Sequence, residues 1–427
     1  MAEYPLHRMR LKNGLRVVLS PDPGSAAVGV SVHYDVGMRS EPKGRTGFAH
    51  LFEHLMFEGS ESVPTHEHAK LIQGVGGSFN GSTHPDYTEY HEIIPPYALE
   101  RTLFVEADRM RAPLLTEQTL RNQIDVVKEE IRVNVLNRPY GGFPWLALPP
   151  VLFETFANTH NGYGDFVDLE TATVADAREF FDTYYAPGNA VLTIVGDFDL
   201  AEAKRLVRKH FSDIPARTVP KRPDFNEPRR TKPAHGSVSD EHAPMPSTAL
   251  GWQSPDPIGD LRRYLATVVL CDVLYDGESS RLHREIVLER ELATSAFAYA
   301  GTFGDPFDQR GSNTVTVQFY HPRRETRDET IGVIDDILAD LATNGPTEEE
   351  LARVTTRIRA GLLRENDSTM ERALRMGTLE LLWGKPQLIS ELPDRLAEVD
   401  AKAVARAAAD LTPDSRAVVA LDPKESR

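Results

Sequence analysis

The chain has 427 residues, of which 48 are basic and 64 acidic, so its net charge is −16. This charge argues against nucleic acid or an anionic membrane as the main partner, and no apolar run approaches the roughly 18 residues of a membrane span. The single cysteine, Cys271, excludes an intramolecular disulfide and a cysteine-based metal site. The N-terminal sequence has no apolar stretch typical of a secretory signal, so we expect a cytoplasmic location.

The first half of the chain mixes strand and helix patterns. Alternating valines in residues 28–32 indicate a strand, and an apolar helix follows around His50. A second helix is predicted within residues 116–137. Residues 174–199 are typical of a helix that stops at a proline and is followed by a buried strand.

A proline-rich stretch, residues 215–236, separates this half from the next. Its five prolines deny regular structure to the segment. The second half then repeats the order of strand, apolar helix, strand, amphipathic helix and final strand, which indicates a duplication. We predict an N-terminal domain at 1–217, a linker at 218–236 and a homologous C-terminal domain at 237–427. The predicted fold class is α+β, with each domain a mainly antiparallel sheet covered by helices and the two domains enclosing a chamber.

The segment GRTGFAHLFEHLMFEGS, residues 44–60, sets polar groups into an apolar helix. At about 100° per residue, His50, Glu53 and His54 fall on one narrow face. Three buried polar groups would cost several kcal/mol unless something satisfies them, and a divalent metal would do so. Histidines at i and i+4 can bind one ion, and Glu53 is placed to act as a general base. The alternative is a pair of core histidines that hydrogen-bond the backbone.

A catalytic zinc ion needs a third protein ligand, and the second predicted helix offers Glu129 and Glu130. The helical neighbours of Glu129 are polar, which is typical of a solvated face. Glu130 is surrounded by Val126, Val127 and Val133, so we predict that it is buried and that it binds the metal.

The His-x-x-Glu-His order is the familiar His-Glu-x-x-His zinc-peptidase motif reversed. On this motif the chain resembles the inverted-zincin peptidases of the pitrilysin family, which includes insulin-degrading enzyme and the mitochondrial processing peptidase. Its length resembles the short bacterial and mitochondrial branch. Other segments that resemble family landmarks are LKNGLRVVL, GGSFNGSTHPDYTEY, VEADRM, VVKEEIR, YYAPGNAVLTIVGD and SSRLHREI.

The resemblance implies a zinc-dependent endopeptidase with one Zn²⁺ per chain. The metal would be bound by His50, His54 and Glu130, and Glu130 lies 76 positions after His54, as in the family pattern. Glu53 would be the general base. The C-terminal half contains no second set of such ligands, because its apolar helix has neither His nor Glu.

The resemblance also implies how a peptide substrate binds. The stretch QGVGGSFNGSTHPDYTEYHEIIP would contain an edge strand that pairs with the substrate backbone. The predicted substrate-binding residues along it are Phe79, Asn80, Gly81 and Ser82. The alternative is a glycine-rich hairpin without a ligand.

Two positions depart from the family pattern. Active members carry a Glu seven residues before the distal ligand, and here that position is Gln123. A glutamine can hydrogen-bond a metal ligand, but it lacks the negative charge that raises ligand basicity. Members that work alone also have an Arg followed seven residues later by a Tyr, both touching substrate. Here Arg290 matches the Arg, but Phe297 replaces the Tyr.

An intact metal helix with an incomplete Arg/Tyr pair predicts a homologous partner subunit that supplies the missing contacts. This pattern favours a heterodimer over a homodimer. The alternative function is a non-catalytic assembly or peptide-binding subunit of the same fold. The retained His50, Glu53, His54 and Glu130 argue against that alternative.

Overall fold

The computed structural model describes residues 3–424, in which strands and helices alternate. The strands are β1 His7–Arg10, β2 Arg16–Pro21, β3 Val28–Tyr34, β4 Ser78–Thr83, β5 Thr88–Ile94, β6 Ala190–Gly196, β7 Ala234–Asp240, β8 Ser247–Gln253, β9 Ser295–Ala300, β10 Thr314–Tyr320 and β11 Ala417–Pro423. The helices are α1 Phe48–Leu55, α2 Glu67–Gln73, α3 Leu99–Arg111, α4 Glu117–Ile131, α5 Pro149–Leu152, α6 Phe156–Thr159, α7 Phe166–Glu170, α8 Val174–Tyr184, α9 Leu200–Phe211, α10 Leu261–Tyr275, α11 Thr326–Asn344, α12 Glu348–Glu365, α13 Thr369–Trp383, α14 Leu388–Ala397 and α15 Ala401–Asp410. No helix in this part of the chain combines the length and apolarity needed to cross a bilayer.

The chain divides into two compact units that interleave along the sequence. The first comprises the described residues up to Glu129, with Asn161–Pro223 and Leu362–Leu392, and the second comprises the rest. One division falls inside α4, which continues across it as an unbroken helix. The linear division predicted from the sequence differs from this partition in two segments, 130–160 and 362–392.

The first unit is built on a six-stranded sheet with the order β1-β2-β6-β3-β5-β4. Only the β2–β6 pair is parallel, and the other neighbours are antiparallel. Strand β4 lies at the edge of this sheet. The edge position that the resemblance implied for the glycine-rich segment is therefore confirmed.

The second unit repeats this plan in five strands, in the order β7-β11-β8-β10-β9. The one parallel pair is β7 and β11, and the remaining pairs are antiparallel. This pair lies at the edge of the sheet, whereas the β2–β6 pair of the first unit is flanked by β1. The order β2-β6-β3-β5-β4 in the first sheet corresponds strand for strand to the order β7-β11-β8-β10-β9 in the second. The predicted α+β class and the internal duplication are thus visible in the strand order.

Strand β3 explains why a late segment joins the first unit. All seven of its residues are buried, because helices cover both faces of the sheet at this position. One face carries the small or polar residues Gly29, Ser31 and His33, and α13 packs on it. The approach is close at Gly377, where an added Cβ would lie 2.4 Å from Cε1 of His33. This requirement for a glycine depends on a contact between residues more than 340 positions apart, which no local pattern encodes.

A buried ion pair fixes the hairpin that carries β4. In the turn between β4 and β5, Asp86 accepts hydrogen bonds from Nε and Nη2 of Arg39 at 2.7 and 2.8 Å. Both side chains are almost fully buried. Two-point pairing of a guanidinium with a carboxylate restricts geometry as well as adding energy. The pair therefore fixes the position of the edge strand relative to the segment that precedes α1.

We predict that Asp86→Ala destabilises the protein by roughly 3–5 kcal/mol, because the substitution removes the carboxylate that pairs with a buried guanidinium. Urea unfolding of metal-free protein would measure the change. The control is Glu202→Ala, which breaks an exposed pair with Arg205 and should change stability far less. Equal effects of the two substitutions would contradict this account of the hairpin.

Candidate metal centre

Helix α1 begins at a position that favours glycine and an anion. Its N-cap, Gly47, has φ of 83°, in the left-handed region that favours glycine. The buried carboxylate of Glu41 accepts hydrogen bonds from the backbone N–H groups of Gly47 and Ala49 at 2.9 and 2.7 Å. A negative charge at a helix N-terminus satisfies free N–H groups and opposes the helix dipole. These contacts set where the helix starts and therefore which way its polar face points.

The structure brings together the three residues predicted to bind a metal. One ligand atom each of His50, His54 and Glu130 lies within 4.8 Å of the others. The imidazole rings of His50 and His54 are 5.0 Å apart and nearly perpendicular. Two imidazoles and a carboxylate are a donor set that suits Zn²⁺ and leaves a position for water or substrate. The residues present therefore fit a catalytic zinc ion.

The burial of the ligands differs from the prediction. His50 is 7% exposed and buried as expected, but Glu130 is only half-buried. Val126 and Val133, which were expected to cover Glu130, are 47% and 55% exposed. The reason is that α4 packs through the stripe Leu120, Ile124, Val127 and Ile131.

Glu130 lies beside this stripe, whereas Glu129 is fully on the exposed side. The choice of Glu130 over Glu129 agrees with the geometry of the cluster. The argument from a surrounding ring of valines was wrong.

Glu53 is positioned by the edge strand. The hydroxyl of Thr83 donates a hydrogen bond of 2.7 Å to Oε2 of Glu53. At Gly81 an added Cβ would lie 3.3 Å from Cγ of Glu53 and 3.2 Å from the ring of Phe57. The glycine therefore leaves space beside the predicted general base. Sequence reasoning identified Gly81 but missed Thr83.

The four residues predicted to bind substrate lie on two faces of β4, because strand side chains alternate. Phe79 points to the α1 side, where its ring packs 5.3 Å from that of Phe57. Gly81 shares this side. Asn80 and Ser82 therefore project to the opposite face, where they pair in register with His91 and Glu89 of β5.

A buried cluster of charged residues lies next to Phe57 and Tyr90. The guanidinium of Arg109 is 2.5 Å from Glu106 and 3.2 Å from Glu92, and it stacks over the rings of Tyr90 and Phe57. The hydroxyl of Tyr90 in turn donates to the carbonyl oxygen of Phe52 in α1. The cluster therefore supports the helix that carries the predicted metal ligands.

His68 completes a second group of possible metal ligands with Glu92 and Glu106. Arg109 already supplies a cation at this position, so these residues do not need a metal to balance their charge. Burial lowers the pKa of His68 to about 4 and raises the pKa of Glu106 to about 8. The nearby Glu92 carboxylate contributes to the raised pKa of Glu106, and Arg109 opposes it.

Two further residues near α1 carried no clear sequence signal. Tyr163 lies between two glycines, and its ring stands perpendicular to that of His50 at 5.1 Å. Gly164 packs its backbone against Gly47 so closely that a Cβ there would lie 2.6 Å from the Cα of Gly47. A tyrosine in a glycine-rich turn is a common surface feature, so its position beside the metal ligands was not predictable.

The remaining predicted residues lie elsewhere. Gln123 donates a hydrogen bond to Glu58, which follows α1. Arg290 and Phe297 belong to the second unit, where Arg290 is exposed. The ring of Phe297 packs 5.2 Å from Tyr275 and 6.1 Å from Tyr320.

This fold and donor set are those of a two-domain zinc-peptidase class. Residues 16–139 match the family described as "Insulinase (Peptidase family M16)", and residues 171–358 match "Peptidase M16 inactive domain". The chain belongs to the M16, or pitrilysin, family of peptidases.

Individual relatives agree with this assignment. The chain is 30% identical over 308 residues to zinc protease PqqE of Helicobacter pylori, covering 69% of this chain and 67% of that protein. It is 26% identical over 425 residues to the Bacillus subtilis protein named "Uncharacterized zinc protease YmxG", covering 98% of each. A crystal structure of a protease from Helicobacter pylori has the same fold, with a TM-score of 0.88 and 24% identity over 99% of this chain and all of that one.

The buried cluster predicts a pH dependence of stability that Glu106→Gln should remove. Because burial raises the pKa of Glu106 from 4.5 to about 8, the folded state binds a proton more tightly than the unfolded state. This contribution to stability is full below about pH 4.5 and is lost as the pH rises to about 8, at up to roughly 1.4 kcal/mol per pH unit.

Urea unfolding of metal-free protein between about pH 5 and pH 9 would test this dependence. We expect the free energy of unfolding of Glu106→Gln to decline less steeply as the pH rises, because the amide does not titrate. The control is Glu61→Gln at an exposed position, which should leave the slope unchanged. An unchanged slope in Glu106→Gln would contradict the prediction.

Proposed function

We propose that the protein is a zinc-dependent endopeptidase subunit that hydrolyses peptides. The observation that carries this proposal is the convergence of His50, His54 and Glu130, with Glu53 on the same helix face. The relatives named zinc proteases support it. When bound, zinc lowers the pKa of a coordinated water and polarises the scissile carbonyl.

The chain's own residues supply the proton transfers. Glu53 accepts a proton from the attacking water and passes it to the leaving amine. Thr83 holds one carboxylate oxygen of Glu53, which leaves the other oxygen for the water. A general base held in one orientation by a hydrogen bond is better aligned with the reacting atoms.

The edge strand β4 is the proposed substrate-binding element. It pairs with β5 on one side and ends the sheet, so its other side can add a peptide as an extra strand. Gly81 leaves space between this strand and Glu53. Binding through the backbone would position the scissile bond with little dependence on side-chain identity.

The proposed partner is a homologous subunit that contributes an Arg and a Tyr to the substrate. Phe297 has no hydroxyl to donate to a developing oxyanion, and its ring is packed among other aromatic side chains. We propose a heterodimer in preference to a homodimer.

A second candidate function is a non-catalytic, peptide-binding subunit. The observation that favours it is again Phe297, together with the "inactive domain" description of the match over residues 171–358. In this chain that half contains α10, which has neither His nor Glu. The inactive description therefore applies to a segment, residues 171–358, that contains none of the residues proposed to bind zinc or to act as general base.

We predict that Glu53→Gln retains zinc and loses at least about a hundredfold in peptide cleavage, because the amide cannot accept the proton. Glu130→Gln should instead lose zinc, because an amide is a poor substitute for a carboxylate ligand. Metal content and hydrolysis of a mixed peptide library would be measured on the same preparations.

The matched control is Glu129→Gln, one residue from Glu130 on the exposed side of α4. It should retain both zinc and activity. Loss of zinc in Glu129→Gln but not in Glu130→Gln would show that the wrong carboxylate had been assigned. Full cleavage by Glu53→Gln would refute the proposed mechanism.

We also predict that the purified chain alone cleaves peptides slowly and that a homologous subunit with the missing Tyr raises the rate at least about tenfold. Sedimentation with and without that subunit would show whether a complex forms. A homodimer that cleaves peptides at the full rate alone would overturn the heterodimer proposal. Zinc binding with no cleavage under either condition would favour the peptide-binding subunit.

A further inference from the structure

The feature that no assigned role explains is the buried carboxylate of Glu58. Glu58 is only 9% exposed, although its side chain is acidic. The described residues supply it with one side-chain hydrogen bond, from the amide nitrogen of Gln123. Among residues 3–424 it forms no ion pair.

A carboxylate in this position is costly. Burial removes its hydration, and a single neutral donor returns only part of the lost energy. Glu58 also follows the C-terminus of α1, where its backbone N–H donates to the carbonyl oxygen of Leu55. The negative end of a helix dipole disfavours an anion there. A nearby cation would offset these terms.

Glu58 and Gln123 each lie near a predicted metal ligand in the sequence. Glu58 lies one helical turn after His54, and Gln123 lies two turns before Glu130 on α4. Their hydrogen bond therefore joins the segment that follows α1 to the helix that carries the third ligand. The contact can affect both the separation of the two elements and the charge beside them.

We propose that Glu58 supplies the buried negative charge that strengthens zinc binding, and that Gln123 is its obligatory neutral partner. Glu58 is thus a positioning residue that acts through the ligands His54 and Glu130. This inference rests on the proposed zinc-peptidase function and deepens it. A glutamine at 123 is then a requirement of the Glu58 carboxylate, since a second carboxylate there would face the first.

The test is a cycle of four chains: wild type, Glu58→Gln, Gln123→Glu, and the double variant with both changes. Each is stripped of metal, and zinc affinity is measured by competition with a chromophoric chelator. The thermal midpoint of the metal-free chain is measured in parallel. Both substitutions are nearly isosteric, so packing is preserved while the charge is removed, added or moved.

We expect Glu58→Gln to bind zinc about 10–100-fold more weakly, the effect typical of outer groups that orient metal ligands. Its metal-free midpoint should not fall, because an unpaired buried charge has been removed. Gln123→Glu should lower the metal-free midpoint, because two carboxylates then meet. The double variant should restore both the midpoint and a zinc affinity within about threefold of wild type.

The outcomes separate this inference from the proposed function. If wild type binds no zinc, both are overturned. If wild type binds zinc and Glu58→Gln binds it equally well, only the role of Glu58 is overturned. If the double variant loses as much zinc affinity and thermal stability as the two single variants together, a charge at position 123 cannot replace the charge at position 58. That outcome also contradicts the proposal. The control Glu61→Gln, at an exposed position nearby, should not change zinc affinity.

Discussion

The arrangement of the first unit follows from one electrostatic constraint. An ionisable group that is buried beside a helix costs energy unless a partner is close. Around α1 three carboxylates have hydrogen-bond donors among the described residues: Glu41 accepts from backbone N–H groups at the N-terminus, Glu53 from Thr83, and Glu58 from Gln123. A divalent cation would serve the same purpose for the two histidines and Glu130. These contacts hold the elements that carry the three proposed ligands.

The duplication shows how one architecture supports two roles. Both units share one permutation over five strands, with one parallel pair and an edge strand at the far side, and the first unit adds β1 outside its parallel pair. In the first unit the helix that packs on that edge strand carries His50, Glu53 and His54. In the second unit, α10 packs on β9 and contains neither His nor Glu. The fold itself therefore does not specify chemistry; a few polar residues on one helix do.

The buried cluster around Arg109 and the Glu58–Gln123 contact solve the same problem differently. Arg109 is an internal cation that balances Glu92 and Glu106 without a metal. Glu58 has only a neutral partner within the described residues. Because of this difference, we propose that its charge acts on the metal site. The carboxylates around Arg109 have an internal cation, whereas the single carboxylate of Glu58 has none among the described residues.

The sequence alone determined the parts that depend on local periodicity, which are the polar face of α1 and the order of elements in the internal repeat. These follow because neighbours along a helix or strand fix which side chains share a face. The edge strand β4 was expected from the family resemblance, and the choice of Glu130 over Glu129 agrees with the family spacing but not with the predicted burial by valines. Only the tertiary structure decided that residues 362–392 pack with the first unit and that Val126 and Val133 are exposed. It also decided that Thr83 contacts Glu53, that Tyr163 lies against His50 and that Gln123 contacts Glu58. Such contacts join residues tens to hundreds of positions apart, and they depend on how whole elements pack, which no short stretch of sequence encodes.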